Sequence, residues 1–110
     1  MAGGFGVQCA AVESLSRALA VELGPYGVRV ACLRSAGSPD AGGVDRVFDV
    51  HARNAGTTRE EFDAAKAGRT LLRRLPSLAE VAQVAVWLAS DRATAVTASI
   101  TNVTCGELLD

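Results

Sequence analysis

A helix, a glycine–proline stop and a short apolar strand follow one another in residues 10–34, which read AAVESLSRALAVELGPYGVRVACLR. In the first part, hydrophobic residues recur at three- and four-residue steps, as along one face of an α-helix, at Val12, Leu15, Leu19 and Leu23. Alanines on the opposite flank indicate that this helix packs on two sides, against a sheet and another helix. Gly24 is expected to form a left-handed cap, and Pro25 to prevent continuation. The sequence therefore predicts a helix and turn over residues 3–27 and a buried strand over residues 28–34.

More helices and a second strand follow in the rest of the chain. Residues 35–43 are rich in Ser, Gly, Pro and Asp, which predicts a loop. Periodicity then predicts two short helices within residues 44–68, a helix over residues 77–91 and a strand over residues 99–104. The buried stripe of the third of these helices is expected to consist of Val81, Val84, Ala85 and Leu88. This order of elements is typical of parallel α/β architecture, in one domain over residues 1–110.

Helix starts are marked by capping boxes, in which Thr or Ser stands three residues before Glu. Thr57 and Thr58 both have this spacing, so either can begin the second short helix, and Gly56 ends the first. Ser77 and Glu80 form the same pattern at the start of the next helix. In such a box the hydroxyl and the carboxylate each accept a hydrogen bond from a backbone N–H group.

Composition excludes several classes of protein. The chain has 110 residues, 49% of them hydrophobic and 21% charged, so it can bury a core and is expected to fold. A net charge of −1 gives no reason to expect nucleic acid or an anionic membrane as partner. Three separated cysteines and one histidine indicate neither a disulfide framework nor a metal site. Without a signal peptide or an apolar span in the sequence, we expect a cytoplasmic protein.

Three phrases of the sequence, in this order and spacing, resemble the C-terminal half of a short-chain dehydrogenase/reductase. Residues 10–30 resemble the long central helix, turn and following strand of that family, residues 72–91 its last helix, and residues 100–103 its final strand. The resemblance implies an α/β fold that is the C-terminal half of a Rossmann-like three-layer domain, with its sheet completed by another chain. It also implies hydride transfer between NAD or NADP and an alcohol or carbonyl carbon.

The cofactor-binding half of that family has no counterpart in the sequence. In the family, a glycine-rich turn after a strand cradles the cofactor pyrophosphate. The sequence contains no Gly-x-x-x-Gly-x-Gly after a strand, and Gly3, Gly4 and Gly6 only lead into a helix. One interpretation is a truncated open reading frame whose start lies upstream of Met1.

The family's catalytic residues are replaced. Members of the family use Tyr-x-x-x-Lys, in which the lysine ammonium lowers the pKa of the phenol that transfers the proton. The resemblance places Phe5 at the tyrosine position and Cys9 at the lysine position. Phenylalanine has no titratable proton, and a thiol is never cationic. Because Tyr26 and Lys66 are the only residues of their kinds, no other register restores the pair.

The resemblance also assigns positions to the loop that follows the first strand. Where the family often has Pro-Gly beside the nicotinamide, this chain has Ser35 and Ala36, followed by Gly37 and Ser38. Main-chain contacts to the carboxamide tolerate such changes, so Ala36, Gly37 and Ser38 are the candidate cofactor-binding residues. By the same resemblance, residues 44–68 correspond to the mobile substrate lid. Near the end of the chain, Ala98 replaces a frequent glycine, and the family's Asp-Gly-Gly becomes Thr-Cys-Gly at residues 104–106.

Other side chains have both a functional and a structural interpretation. Cys9 is expected to be a small buried residue, the alternative being a nucleophile activated at a helix N-terminus. His51 is expected to be partly buried on its helix, and Trp87 to pack in a core or a subunit contact. Arginines of the linker before residue 77 are expected to cap carbonyls or pair with acids rather than bind an anion; they are Arg69, Arg73 and Arg74.

Two functions remain open at the level of sequence. The first is an oxidoreductase-like protein that is inactive by itself and uses NAD or NADP only with a companion chain. The second is a non-catalytic oligomerisation module, since in the family the long helix and the last strand form subunit interfaces. A homo-oligomer or a companion chain is therefore the expected partner, because two parallel strands leave unpaired edges.

Overall fold

The computed structural model describes residues 4–109, and within them the predicted order of helices and strands is confirmed. The elements in chain order are α1 (Phe5–Leu23), β1 (Ala31–Ser35), α2 (Gly42–Ala55), α3 (Arg59–Gly68), α4 (Leu78–Ala89) and β2 (Ser99–Val103). Short 3-10 turns follow α1 at Gly24–Tyr26 and α4 at Asp91–Ala93. β1 and β2 are parallel and form an open two-stranded sheet. The predicted first helix began at Gly3, which lies outside the described residues.

The chain divides into two compact units. The first comprises residues 1–33 and 86–101, and the second comprises residues 34–85 and 102–110. The boundary between them falls within β1, α4 and β2. The first unit holds α1 and both 3-10 turns, and the second holds α2, α3 and the C-terminal residues.

The left-handed residue after α1 is Gly27, so the prediction that Gly24 has this role was wrong. Gly24 keeps a right-handed conformation with φ −53°, whereas Gly27 has φ +76°. The difference arises because Pro25 stands at the start of the 3-10 turn, where its missing N–H group is not needed. The turn therefore adds three residues before the chain reverses, and the Val28 N–H group donates to the Leu23 carbonyl at 3.3 Å.

The first strand starts later than predicted, at Ala31 instead of Val28. Val28 is still bonded to the end of α1, because its N–H group donates to the carbonyl of Leu23, the last residue of that helix. The Val30 N–H group donates to the Thr97 hydroxyl at 3.1 Å rather than to a neighbouring strand. A β-branched sequence thus predicts extended backbone but not the residue at which strand pairing begins.

In the first unit, the side chain of Arg29 is hydrogen-bonded to the end of α4 and the segment after it. The guanidinium of Arg29 donates to three carbonyl oxygens near the end of α4, those of Leu88 at 2.8 Å, Ser90 at 3.2 Å and Val96 at 3.3 Å. The hydrophobic side chains buried among the described residues of this unit are Ala20, Leu88 and Ala93.

The sequence predicts that α1 packs on two sides, but several of its apolar side chains are exposed. Val7, Leu15 and Val21 are all exposed, Val21 by 78%. On α4, Leu88 is buried as predicted, but Ala85 is exposed.

The second unit is organised by a hairpin of α2 and α3. Phe48 and Ala52 of α2 are buried, and the Phe48 ring meets that of Phe62 edge to face, with centroids 5.4 Å apart. Gly56 ends α2 as predicted, and its conformation is left-handed. Of the two possible capping boxes, Thr58 forms the one observed: its hydroxyl accepts from the Glu61 N–H group and its own N–H group donates to the Glu61 carboxylate.

One arginine joins the two helices of this hairpin. The guanidinium of Arg59, at the start of α3, forms ion pairs with Asp45 at 2.9 Å, Asp49 at 2.8 Å and Asp63 at 2.9 Å. The hydrogen bonds that the guanidinium donates to these carboxylates, first to Asp49 and then to Asp63, raise the pKa of Arg59 above its ordinary value. The same guanidinium carbon lies 5.4 Å from the centre of the Phe48 ring. Arg59 is therefore fixed by bonds on both helices.

The C-terminal turn packs closely against the linker before α4. Thr104 is fully buried, and its hydroxyl donates to the Asn102 side-chain oxygen at 2.6 Å. The N–H groups of Leu71 and Leu72 donate to the carbonyls of Gly106 and Cys105. A side chain at Gly106 has no room, because its Cβ would lie 2.6 Å from the Leu71 Cβ atom.

We expect Gly106→Ala to lower the free energy of unfolding by about 2 to 4 kcal/mol, through a left-handed conformation and a steric clash together. Gly56→Ala is the matched control, because Gly56 is also left-handed but a Cβ added there would meet nothing within 4 Å. The control is expected to cost only about 1 kcal/mol. Urea unfolding of both variants measures the difference, and equal losses would contradict the close packing at Leu71.

Candidate functional site

The two positions that the resemblance assigns to catalysis lie one turn apart on α1. Phe5 is the first residue of this helix and is 66% exposed. Cys9 is exposed as well, so the prediction that it is buried was wrong. It lies in the second turn, beyond the first turn in which a helix dipole acts most strongly. This pair offers neither a phenol to transfer a proton nor a cation to activate one.

The only tyrosine and the only lysine of the chain have other places. Tyr26 is 81% exposed in the 3-10 turn after α1, and twenty-one helical residues correspond to about 30 Å from Phe5. Lys66 lies on α3, where its ammonium is 3.0 Å from the Glu107 carboxylate. Neither side chain can take the place of the missing pair on α1.

The loop after β1 holds the three candidate cofactor-binding residues, Ala36, Gly37 and Ser38. Gly37 has φ +86°, and a Cβ there would lie 3.3 Å from Val44 Cγ1 and 3.4 Å from Phe48 Cζ. Ser38 is buried, and its carbonyl accepts from the Ala41 N–H group at 3.0 Å. The loop therefore has a defined conformation that turns on a glycine. It also lies at the carboxyl end of a parallel strand, where ligands bind in open α/β sheets.

Asp40 fixes the far end of this loop, and sequence reasoning missed it. Its carboxylate accepts from the Leu78 N–H group at 2.9 and 3.1 Å, at the first residue of α4. A carboxylate at a helix N-terminus meets unpaired N–H groups and a favourable dipole. The only local signal is an aspartate in a turn, because the two residues stand 38 positions apart.

Two of the three linker arginines, Arg73 and Arg74, act within the protein, as predicted, and for Arg69 this stays a prediction. Arg73 donates to the Gly68 carbonyl, and Arg74 forms two bonds to the Glu80 carboxylate, at 2.7 and 2.8 Å. Glu80 also accepts from the Ser77 N–H group, while the Ser77 hydroxyl accepts from the Glu80 N–H group, so the predicted capping box is present. The bonds from Arg74 and then Ser77 lower the pKa of Glu80 from 4.5 to about 2.

An open cleft of about 610 Å³ lies in the second unit between the linker, α4 and the C-terminal residues. Most of its lining is apolar and includes Leu71, Leu72, Pro76, Val84, Val103 and Leu109. Cys105 also lines it and has φ +54°, in the Thr-Cys-Gly segment that replaces the family's Asp-Gly-Gly. The guanidinium of Arg74, which borders this cleft, is already paired with Glu80.

The remaining candidates do not form a site. His51 is exposed, not partly buried as predicted, and its ring lies 6.1 Å from that of Phe62. Trp87 is 40% exposed on α4. Within residues 4–109, no group of three or more His, Cys, Asp or Glu side chains is placed to hold a metal ion. None of the helices in that range is long and apolar enough to span a membrane.

Comparison with known proteins agrees with this α/β arrangement. The family model described as enoyl-(acyl carrier protein) reductase matches residues 2–107. The chain therefore belongs to this family of the short-chain dehydrogenases/reductases. Among curated proteins, none matches this sequence.

Solved structures show the same fold. A sorbitol-6-phosphate 2-dehydrogenase from Erwinia amylovora is 25% identical, with a TM-score of 0.87 over 98% of this chain and 42% of its own. A variant of actinorhodin polyketide ketoreductase with NADPH is 24% identical, with a TM-score of 0.84 over 96% of this chain and 40% of its own. A short chain dehydrogenase family protein from Francisella tularensis subsp. tularensis SCHU S4 is 21% identical, with a TM-score of 0.82 over 89% of this chain and 40% of its own. The chain thus spans about two fifths of the length of these structures.

The bond between Arg74 and Glu80 predicts a stability that depends on pH. The pKa of Glu80 is about 2 when folded and 4.5 ordinarily, so the stabilisation is complete above pH 4.5 and is lost as the pH falls through about 2. Glu80→Gln should therefore unfold at lower urea than the unmodified protein at neutral pH, and this difference should vanish near pH 2. Glu22→Gln, at an exposed position of α1, is the control. A difference for Glu80→Gln that stays constant with pH would contradict the ion pair.

Proposed function

We propose that this chain is an oxidoreductase-like member of its family that performs no hydride transfer by itself. The observation that carries the proposal is the pair Phe5 and Cys9 on α1, which replaces the family's phenol and ammonium. Proton transfer to a developing alkoxide needs a positioned acid, and general acid catalysis of this kind contributes typically about 10²–10⁴-fold. Phe5, at the tyrosine position, supplies no such acid, and Cys9, at the lysine position, supplies no cation to activate one.

The described residues fit only part of a nicotinamide cofactor. NAD(P)H supplies the hydride when bound, and the main chain at Ala36, Gly37 and Ser38 is suited to hold its carboxamide. The segment after β1 has Gly37 in its loop and Gly42 and Gly43 in the first turn of α2, a spacing that differs from the family's Gly-x-x-x-Gly-x-Gly. We therefore infer that NAD or NADP binds only where a companion chain supplies the pyrophosphate-binding turn.

A second function, that of a non-catalytic assembly module, is favoured by the exposed apolar face of α1. Val7 and Val21 lie on this face with Leu15 at its border, and all three are exposed. The open sheet adds a further unpaired surface, because each of its two strands pairs on one side only. A second copy of the chain, or a companion chain, would cover both surfaces.

For the first function, we expect the purified chain to oxidise no NADPH or NADH above background with ketone or aldehyde substrates, followed by cofactor absorbance. Calorimetry on the chain alone should show no saturable binding of either cofactor. Turnover by the unmodified chain would contradict the proposal.

Phe5→Tyr/Cys9→Lys is the matched variant, because it restores both groups at the positions where the family has them. Since the restored pair acts on proton transfer, turnover should rise by about 10²-fold or more only in mixtures with a companion chain that bind NAD(P). Absence of NAD(P) binding in every such mixture would instead favour the assembly module.

For the second function, we expect light scattering to give a mass that is a multiple of 11.3 kDa. Val21→Glu places a charge on the apolar face of α1 and should shift the protein toward the monomer. Thr94→Glu, an equal change of charge at another exposed position, should leave the mass unchanged. A protein that is strictly monomeric at all concentrations would exclude the form of this function in which a second copy covers α1.

A further inference from the structure

Lys66 contacts two other segments of the second unit. Its ammonium lies 3.0 Å from Glu107 Oε1 in the C-terminal turn and 5.3 Å from the centre of the Phe48 ring on α2. Both members of the ion pair are largely buried, with 20% of the Lys66 side chain and 17% of the Glu107 side chain exposed. Such a pair is screened by salt much less than a surface pair, and removal of one partner leaves the other charge poorly solvated.

Two cations lie close to the Phe48 ring. The Arg59 guanidinium lies 5.4 Å from the ring centre and the Lys66 ammonium lies 5.3 Å from it. Arg59 is fixed by three aspartates, whereas among the described residues Lys66 is fixed by Glu107 alone. The position of Lys66 therefore depends on a single carboxylate.

Glu107 belongs to a C-terminal turn that is held by several backbone hydrogen bonds. Its N–H group donates to the carbonyl of Thr104, which is fully buried. The two preceding carbonyls accept from the linker N–H groups of Leu71 and Leu72. The carboxylate thus projects from a turn that has little freedom to move, and it can serve as a fixed point for the lysine.

Phe48 also lies beside the loop after β1. Phe48 is buried, and its Cζ and Cε1 atoms would lie 3.4 and 3.6 Å from a Cβ at Gly37. A Cβ at Gly37, which is left-handed, would thus be in van der Waals contact with this ring, and Val44 lies on it as closely. A displacement of Phe48 would therefore change the packing beside the loop at this residue.

We propose that Lys66 is a positioning residue: held by Glu107, it keeps Phe48 against Gly37 and thereby fixes the conformation of the Ser35–Ala41 loop. The inference rests on the proposed function only in identifying this loop as the one that meets the nicotinamide. The contacts that carry it all lie within the second unit and require no cofactor.

The test is amide hydrogen exchange, followed residue by residue by NMR without cofactor. The reporter is the Ala41 N–H group, which donates to the Ser38 carbonyl across the loop. Lys66→Met keeps the aliphatic stem but removes the charge, and we expect it to raise exchange at Ala41 by about tenfold or more, as for loss of a charge-assisted hydrogen bond. Glu107→Gln should have the same direction of effect. In Lys66→Arg, which retains a cation, the protection of Ala41 should be restored.

Controls separate this role from a local structural one. Glu60→Gln removes a charge from the other end of α3 and should leave Ala41 unchanged. Faster exchange confined to Thr70 and Glu107, with Ala41 unaffected, would overturn the proposal. If Lys66→Met unfolds the second unit, Glu107→Gln decides in its place. Because no NAD(P) is present, failure here is distinguishable from failure of the redox proposal.

Discussion

A two-stranded sheet gives its helices little apolar surface to cover, and this constraint governs the rest of the structure. Among the described residues only five hydrophobic side chains are buried, and three of them are alanines. Burial of a large side chain contributes about 1.5–3 kcal/mol, and here only Phe48 and Leu88 are of that size. Hydrogen bonds and ion pairs between specific groups must therefore fix much of the structure of the two units.

These contacts have one feature in common. In each, a charged side chain forms hydrogen bonds or ion pairs with backbone groups or carboxylates near the end of a helix or in a turn. Arg29 donates to three carbonyls near the end of α4, and Asp40 accepts two bonds at its start. Arg59 joins α2 to α3, and Lys66 joins α3 to the C-terminal turn. Charge-assisted bonds of this kind fix geometry more than they add stability, because desolvation offsets part of the attraction.

Local signals could be predicted from the sequence, whereas contacts between distant residues could not. The capping boxes at Thr58 and Ser77 depend on residues three positions apart, so spacing was sufficient to identify them. The left-handed residue was predicted at Gly24 and is found at Gly27, because a proline can begin a 3-10 turn as well as stop a helix. Asp40 has its partner 38 residues away, and periodicity carries no information on such a pair. The exposure of Cys9 was mispredicted because it depends on what covers α1, not on α1 itself.

The two positions that the resemblance assigns to the catalytic pair have a simple relation to this architecture. Phe5 and Cys9 are exposed on the first two turns of α1 and contribute to no buried contact among the described residues. Exchanging them therefore leaves the packing of α1 unchanged, whereas exchanging Ala20, which is buried, would disturb it. Fold and chemistry are thus separable in this chain, since the residues that maintain α1 are not those that the family's reaction needs. The framework of α1 can therefore be kept whichever side chains stand at these two positions.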